Sequence, residues 1–304
     1  MKLKAKVPLI YNGFTLLDYV SERFDYLSKD EWRKRIEENR HSRNGAILQE
    51  DSIVFHLDEI CYDMPDVEEE PANLDYKIIM QTKDFLAIDK PPNLTVHKSK
   101  MNFRNNLIFQ LRETHEPRFP TADSVNRLDK NTSGIVLIAL NKSALRKLSL
   151  QFSNHTIKKT YFAIVVGTPN PASGTILASI GRLENPSAQD TICGRFCAVD
   201  APNPKFCETE YETVKSVNGH SLVKLYPKTG RTHQLRIHLA HIGTPIVGDI
   251  AYGFEANEYR KFCAKNNIVP IESDRHLLHC SAMEFLFNGE IVSVNSELPK
   301  NFEI

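Results

Sequence analysis

The run Pro65-Asp-Val-Glu-Glu-Glu-Pro71-Ala-Asn73 is acidic, bounded by prolines and almost free of apolar side chains. It offers a packed element nothing to bury and has the composition of a solvated linker. A chain interrupted this way folds as two bodies: a small domain over 1–62, a linker over 63–75 and a large domain over 76–304. The charges follow the same division. The formal net charge is zero, which would weigh against a nucleic-acid partner, because phosphate neutralisation by Lys and Arg supplies most non-specific affinity. Yet 49–75 holds ten acids and no Lys or Arg, 1–48 holds ten basic residues against seven acidic ones, and 76–304 is left with +7. The large segment is basic enough to meet RNA.

Upstream of the linker, Thr15-Leu-Leu-Asp-Tyr-Val-Ser-Glu-Arg-Phe24 predicts a helix, and Ser28-Lys-Asp-Glu31 is a capping box opening a second through Trp32, Ile36 and Asn39. Asn44-Gly45 marks a turn between short strands, with alternation at Ile47-Leu48 and from Ile53 to about Ile60. Two helices and short strands in this order resemble the small RNA-binding domain shared by a small-subunit ribosomal protein and many RNA-modifying enzymes. The resemblance implies a basic RNA-binding surface made of Arg33, Lys34, Arg35, Arg40 and Arg43. Taken as residues alone, these are equally the solvated faces of helices. The valine-rich turn of that domain is replaced here by His41-Ser-Arg-Asn-Gly45.

Downstream, β-rich segments dominate: 76–80, 85–89, 134–139, 160–166, 209–217, 221–227 and 290–295, with helices near 102–114, 141–154, 231–242 and 255–266. Strands separated by loops and occasional helices predict an α+β domain around a mixed, mainly antiparallel central sheet, preceded by the small α+β domain. No segment has the roughly 18 uninterrupted apolar residues of a membrane span, and the amino terminus lacks the apolar run of a signal peptide. The expectation is a cytoplasmic, monomeric protein without membrane contact. Six cysteines without a C-x-x-C pair predict reduced thiols, and Cys193, Cys197 and Cys207 match no common zinc spacing. The 184–207 stretch has the composition of an irregular insertion, either an RNA-facing loop or a passive one.

Two segments carry chemistry. Asn126-Arg-Leu-Asp129-Lys-Asn-Thr-Ser-Gly134 places an acid between two cations and leads into the apolar run Ile135–Ala139. Such a sequence makes a shaped loop at the mouth of a buried strand, where catalytic groups tend to sit, although an Arg-x-Asp alone is more often a structural ion pair. Gly230-Arg-Thr-His-Gln-Leu-Arg236-Ile-His-Leu-Ala240 follows a Thr-Gly turn and starts a helix. On spacing alone, His233 and His238 are structural histidines and not metal ligands. The glycine-rich 243–253 loop reads as a tight backbone path that packs and does not react.

Arg-Leu-Asp-x-x-Thr-Ser-Gly, then Gly-Arg-Thr-His-Gln-Leu-Arg-Ile-His-Leu-Ala, then Pro-Ile-Val-Gly-Asp-x-x-Tyr-Gly resemble the signature blocks of the RluA family of RNA pseudouridine synthases. Phe85–His97, with its Lys90-Pro91 turn, and Lys158–Gly167 resemble two further blocks. The resemblance implies conversion of uridine to pseudouridine in RNA without cofactor or metal. It assigns Asp129 as the catalytic carboxylate, Arg127 to base flipping, Tyr161 to stacking on the base, Arg236 to pairing with the aspartate, and Ile237 and Leu239 to the apolar floor of the pocket. Asn126 stands where the family commonly has histidine. The appended small domain favours large-subunit ribosomal RNA as substrate, with transfer RNA as the alternative. Two rival functions remain: a non-catalytic ribosome assembly factor, and a hydrolase pairing Asp129 with Asp123 or Asp249.

Overall fold

The computed structural model describes residues 2–25, 27–63, 69–98, 102–184, 187, 197–199 and 201–304. Half of the 184–207 insertion and residues 65–68 of the acidic run therefore lie outside the described residues. The chain divides into two compact units, Met1–Pro71 with Lys98–Asn105, and Ala72–His97 with Asn106–Ile304. The 98–105 segment joining the first unit has no counterpart in the sequence reading, because its partner, the Glu69 carboxylate accepting from the Arg104 and Asn105 amides, is 35 or more residues away.

In the small unit, Thr15 caps the helix Leu16–Arg23 through the Asp18 amide, and the Ser28–Glu31 capping box opens the helix Lys29–Glu37. Four strands, β1 (Lys2–Lys6), β2 (His41–Arg43), β3 (Ala46–Ile47) and β4 (Glu59–Asp63), form an antiparallel sheet in the order β1-β4-β2-β3. Asn44 and Gly45 both have positive φ, the geometry that closes the β2–β3 hairpin. Tyr19, Trp32, Ile36, Val54 and Ile60 make the core. The alternation from Ile53 becomes a strand only at its end. Before its last two residues, Glu59 and Ile60, which open β4, only Val54 in it is buried, the Phe55 amide donates to the Asp58 carboxylate, and the chain turns at Leu57 with φ 70°.

The large unit is built on one sheet: β5 (Lys77–Gln81), β6 (Phe85–Lys90), β7 (Asp123–Ser124), β8 (Ser133–Ala139), β9 (Lys158–Val166), β10 (Ser173–Arg182), β11 (Cys197–Val199), β12 (Lys205–Val217), β13 (His220–Pro227), β14 (Leu278–Phe287) and β15 (Glu290–Asn295). Its order is β11-β10-β12-β13-β9-β14-β8-β6-β5, with β15 on β14 and β7 on β8. Every described pairing is antiparallel except β14 with β8, so the sheet is mixed and mainly antiparallel as predicted. All seven residues of β8 are buried, and β8 delivers the preceding loop to the middle of the sheet. Strands β10 and β14 were not anticipated. Both mix buried apolar positions with polar or small residues, which blurs the alternation.

The helices Lys142–Ser153, Gln234–His241 and Ala256–Lys265 fall where expected. The one at 102–114 shrinks to Leu107–Phe109, capped by Asn106 and continued by a wider π turn, Gln110–Thr114. Among the described residues no helix is long and apolar enough to cross a membrane.

Candidate active site

The Asp129 loop is held from three directions. Below it, the fully buried Lys90 ammonium donates to the carbonyls of Pro91 (2.8 Å), Leu94 (2.9 Å) and Lys130 (3.1 Å), tying the Lys-Pro turn to the loop. Burial pushes this amine down to about 7. At the loop's end, Thr132 shares a 2.8 Å hydrogen bond with His276, and Ser133 a 3.0 Å one with His279. At its start, the Asn126 side-chain oxygen accepts the Leu137 amide at 2.8 Å. Asn126 is thus a bracket between loop and strand. Gly134 is required for the crossing: its φ is +106°, and a Cβ there would sit 2.1 Å from the Cys280 carbonyl of the parallel neighbour β14.

The second wall is the turn before the Gln234–His241 helix. Gln234, buried, uses its whole amide: the oxygen accepts from the Thr229 hydroxyl and the Arg231 amide, and the nitrogen donates to the Glu208 carbonyl and the Thr209 hydroxyl. His233 is left-handed (φ 57°), which starts the helix three residues later than the sequence suggested. Non-glycine residues adopt this conformation at a cost of roughly 1–2 kcal/mol. Here the imidazole bonds the Tyr252 hydroxyl through Nδ1 at 2.8 Å and brings Nε2 within 3.8 Å of Asp129.

Arg236 links the two walls. Its Nε and one terminal nitrogen donate to the two oxygens of Asp249, each at 2.7 Å, and the other terminal nitrogen donates to Asp129 Oδ2 at 3.2 Å. Tyr252 lies beneath the guanidinium, 5.1 Å from ring centroid to Cζ. Asp249 is essentially sealed, and Gly248 beside it has φ +76° with no room for a Cβ against the Arg275 carbonyl. Burial alone would raise the Asp129 pKa, but His233, Arg236 and His276 outweigh it and hold the carboxyl below its ordinary value. Burial depresses His233 itself and drives His276 to about 3, so Arg236 supplies the charge at neutral pH. Asp129 Oδ1 accepts no hydrogen bond from a described residue.

Asp129 opens into a cleft of about 260 Å³ lined also by Arg127, Leu128, Phe152, Lys159, Tyr161, Leu235, Arg236 and Leu278. The structure therefore gathers Asp129, Arg127, Tyr161 and Arg236 at one place. Ile237 and Leu239 are not its floor. Ile237 turns away to pack with Ile180 and Cys207, and Leu239 enters the main core, because both lie on other faces of a helix buried nearly all round. The apolar lining comes instead from Leu128, Leu235, Phe152 and Leu278. Asp249, placed by sequence in a loop that only packs, is the partner the reading missed; its bidentate bond also engages it too fully to serve as a hydrolase's second carboxylate. Among the described residues no group of three or more His, Cys, Asp or Glu side chains is placed to hold a metal ion, and the described cysteines are free thiols.

In the small unit, Arg33 pairs with Asp30 and Glu50, Arg40 with Glu38, and Arg43 with Asp58; Lys34 is exposed.

A family model described as RNA pseudouridylate synthase matches residues 84–241, from β6 through the Arg236 helix, and the chain belongs to this family of RNA-modifying isomerases. It is similar to the ribosomal large subunit pseudouridine synthase D of Borreliella burgdorferi, at 29% identity over 90% of this chain and 86% of the relative. It is also similar to tRNA pseudouridine synthase C of Yersinia pestis, at 37% identity over 58% of this chain and 70% of the relative. Among solved structures, human RNA pseudouridylate synthase domain containing 1 superposes with a TM-score of 0.60 at 27% identity, covering 75% of this chain and 86% of that one.

Proposed function

We propose that this synthase acts on uridine in large-subunit ribosomal RNA, with Asp129 as its catalytic carboxylate. The observation that carries the reading is the division of labour on that carboxylate: Oδ2 is held by an arginine that Asp249 fixes in place, while Oδ1 accepts no hydrogen bond from a described residue and Asp129 lines the cleft. Isomerisation breaks the bond from the ribose anomeric carbon to N1 and forms one to C5; the C5 proton leaves, N1 gains a proton, and nothing is oxidised or hydrolysed. An ionised carboxylate serves by attacking the ribose or by removing a ribose proton, and both roles need the deprotonated oxygen that Arg236 maintains. The target base leaves its stack at a cost of a few kcal/mol, which stacking against Tyr161 and entry of Arg127 into the vacated space offset. Tyr161 is only 9% exposed within the cleft wall, and Arg127 is exposed at its edge, which suits those separate tasks.

The ribosomal preference is supported by extent of similarity. A match over 90% of the chain necessarily includes part of the small unit, whereas one over 58% need not. The test is carbodiimide mapping of pseudouridine in total RNA from a strain lacking the gene, complemented with wild type or Asp129→Asn. The expected outcome is a large-subunit site lost on deletion and restored by wild type alone, the variant being slower by at least about 10²–10⁴-fold. Full restoration by Asp129→Asn would refute the carboxylate assignment, and a lost site in transfer RNA would refute the substrate.

A further inference from the structure

Beside the catalytic cleft lies a second cavity, of about 490 Å³, lined by Ile180, Gly181, Arg182, Glu184, Cys197, Pro202, Asn203, Lys205, Gly230, Arg231 and Thr232. The Gly230–Thr232 turn lines both cavities, so the two spaces share a wall. Arg182, Lys205 and Arg231 are exposed, and none forms an ion pair with a described residue. Some other exposed cations of this unit do meet acids, Lys158 with Glu284, Lys228 with Glu210 and Arg260 with Glu272, while others, Arg127 among them, do not. Among the described residues, three cations without an ion pair and one carboxylate, Glu184, line this groove, which makes it a site for anions spaced along a chain. Among the described residues the lining contains no aromatic ring, so these residues offer no stacking platform and address backbone, not bases.

We infer that this groove binds the phosphodiester backbone of the RNA strand flanking the target uridine, with Arg182, Lys205 and Arg231 as its phosphate contacts. The inference rests on the RNA-modifying reading of the neighbouring cleft, and its test needs no turnover. Arg182→Gln/Lys205→Gln removes two exposed cations that do not line the catalytic cleft. Binding of a fluorescein-labelled twelve-residue oligouridylate to the full chain is followed by anisotropy across a sodium chloride series. Each phosphate contact on a single strand contributes about 0.7 to the slope of log affinity against log salt, so the double variant should flatten the slope by about 1.4 and weaken binding on the order of tenfold. Lys261→Gln/Lys265→Gln, the same charge change on the Ala256–Lys265 helix at residues that line neither cavity, should leave the slope as in wild type. An oligouridylate with a neutral methylphosphonate backbone should bind wild type and the groove variant equally. An unchanged slope in the groove variant, an equal change in the control pair, or no binding by wild type would each overturn the proposal. Asp129→Asn should bind like wild type, which separates failure of the groove from failure of the catalytic assignment.

Discussion

In the small unit, Arg33, Arg40 and Arg43 each meet a carboxylate supplied from within about twenty residues, whereas Arg127, Arg182, Lys205 and Arg231 of the large unit make no ion pair with a described residue. As sequence, the first group looks like the stronger RNA footprint, because its cations are clustered. Folding reverses the ranking. The acids interspersed through 30–58 return to pair with three of the cluster's five cations, whereas unpaired cations scattered along 127–231 are brought together by the sheet. A third kind of pair, Arg236 between Asp129 and Asp249, is buried and hydrogen-bonded, so it orders a site where the exposed pairs merely balance charge.

The sharpest test of that distinction is Asp249→Asn. Leaving Arg236 with half its anchor in a buried setting should cost about 3–5 kcal/mol in denaturant unfolding. It should also lower turnover by about 10²-fold or more as the guanidinium loses its aim at Asp129. Trp32→Ala, which removes a completely buried ring from the small core, should destabilise by about 3–5 kcal/mol. Hydrogen exchange should place that loss in the helices 16–23 and 29–37 and leave β8 protected.

His41 gives a smaller and pH-dependent effect. Burial drives its pKa from 6.5 to about 4, so the unfolded chain binds the proton first. Its contribution is complete above about pH 6.5 and falls as pH drops toward 4. His41→Phe, which keeps the ring stacked on Tyr62, should flatten that decline in the small unit while His238, His276 and His279 still impose one on the large unit. The smallest change is expected from Arg33→Gln with Arg43→Gln. Stability should move by no more than about 1 kcal/mol per pair. The salt dependence of RNA binding should shift by well under the roughly 0.7 per cation expected of a true phosphate contact on a single strand. A larger shift would break the comparison and restore the small unit as the principal grip.

Much of this organisation was legible. The Ser28–Glu31 box and the apolar run 135–139 carry local signals that packing did not override, and the loop before that run does hold Asp129. What stayed hidden depends on distant pairing. Asp249 follows Arg236 by thirteen residues in a stretch whose glycines announce only a tight path, and no periodicity says that its carboxylate turns back to the guanidinium. Ile237 and Leu239 misled because six of the eight helix residues are buried, so the amphipathic pattern that would identify the cleft-facing side is absent. The strand 278–287 hid behind His279, Cys280 and Glu284, polar or small residues admitted to a central strand because β8, β9 and Ser296 supply their partners.

The meeting of β8 with β14 has a consequence for when the enzyme becomes active. Ser133 and His279 are 146 residues apart, Thr132 and His276 144, and Asp129 and Arg236 107. Closing contacts of such separation is entropically expensive and slow, and on a ribosome the two histidine contacts cannot form before His276 and His279 have left the exit tunnel. The loop of Asp129 thus has its Lys90 and Asn126 supports early and its His276 and His279 supports late. A truncated or still-growing chain therefore presents RNA with an unaimed carboxylate, and competence to modify arrives together with completion of the fold.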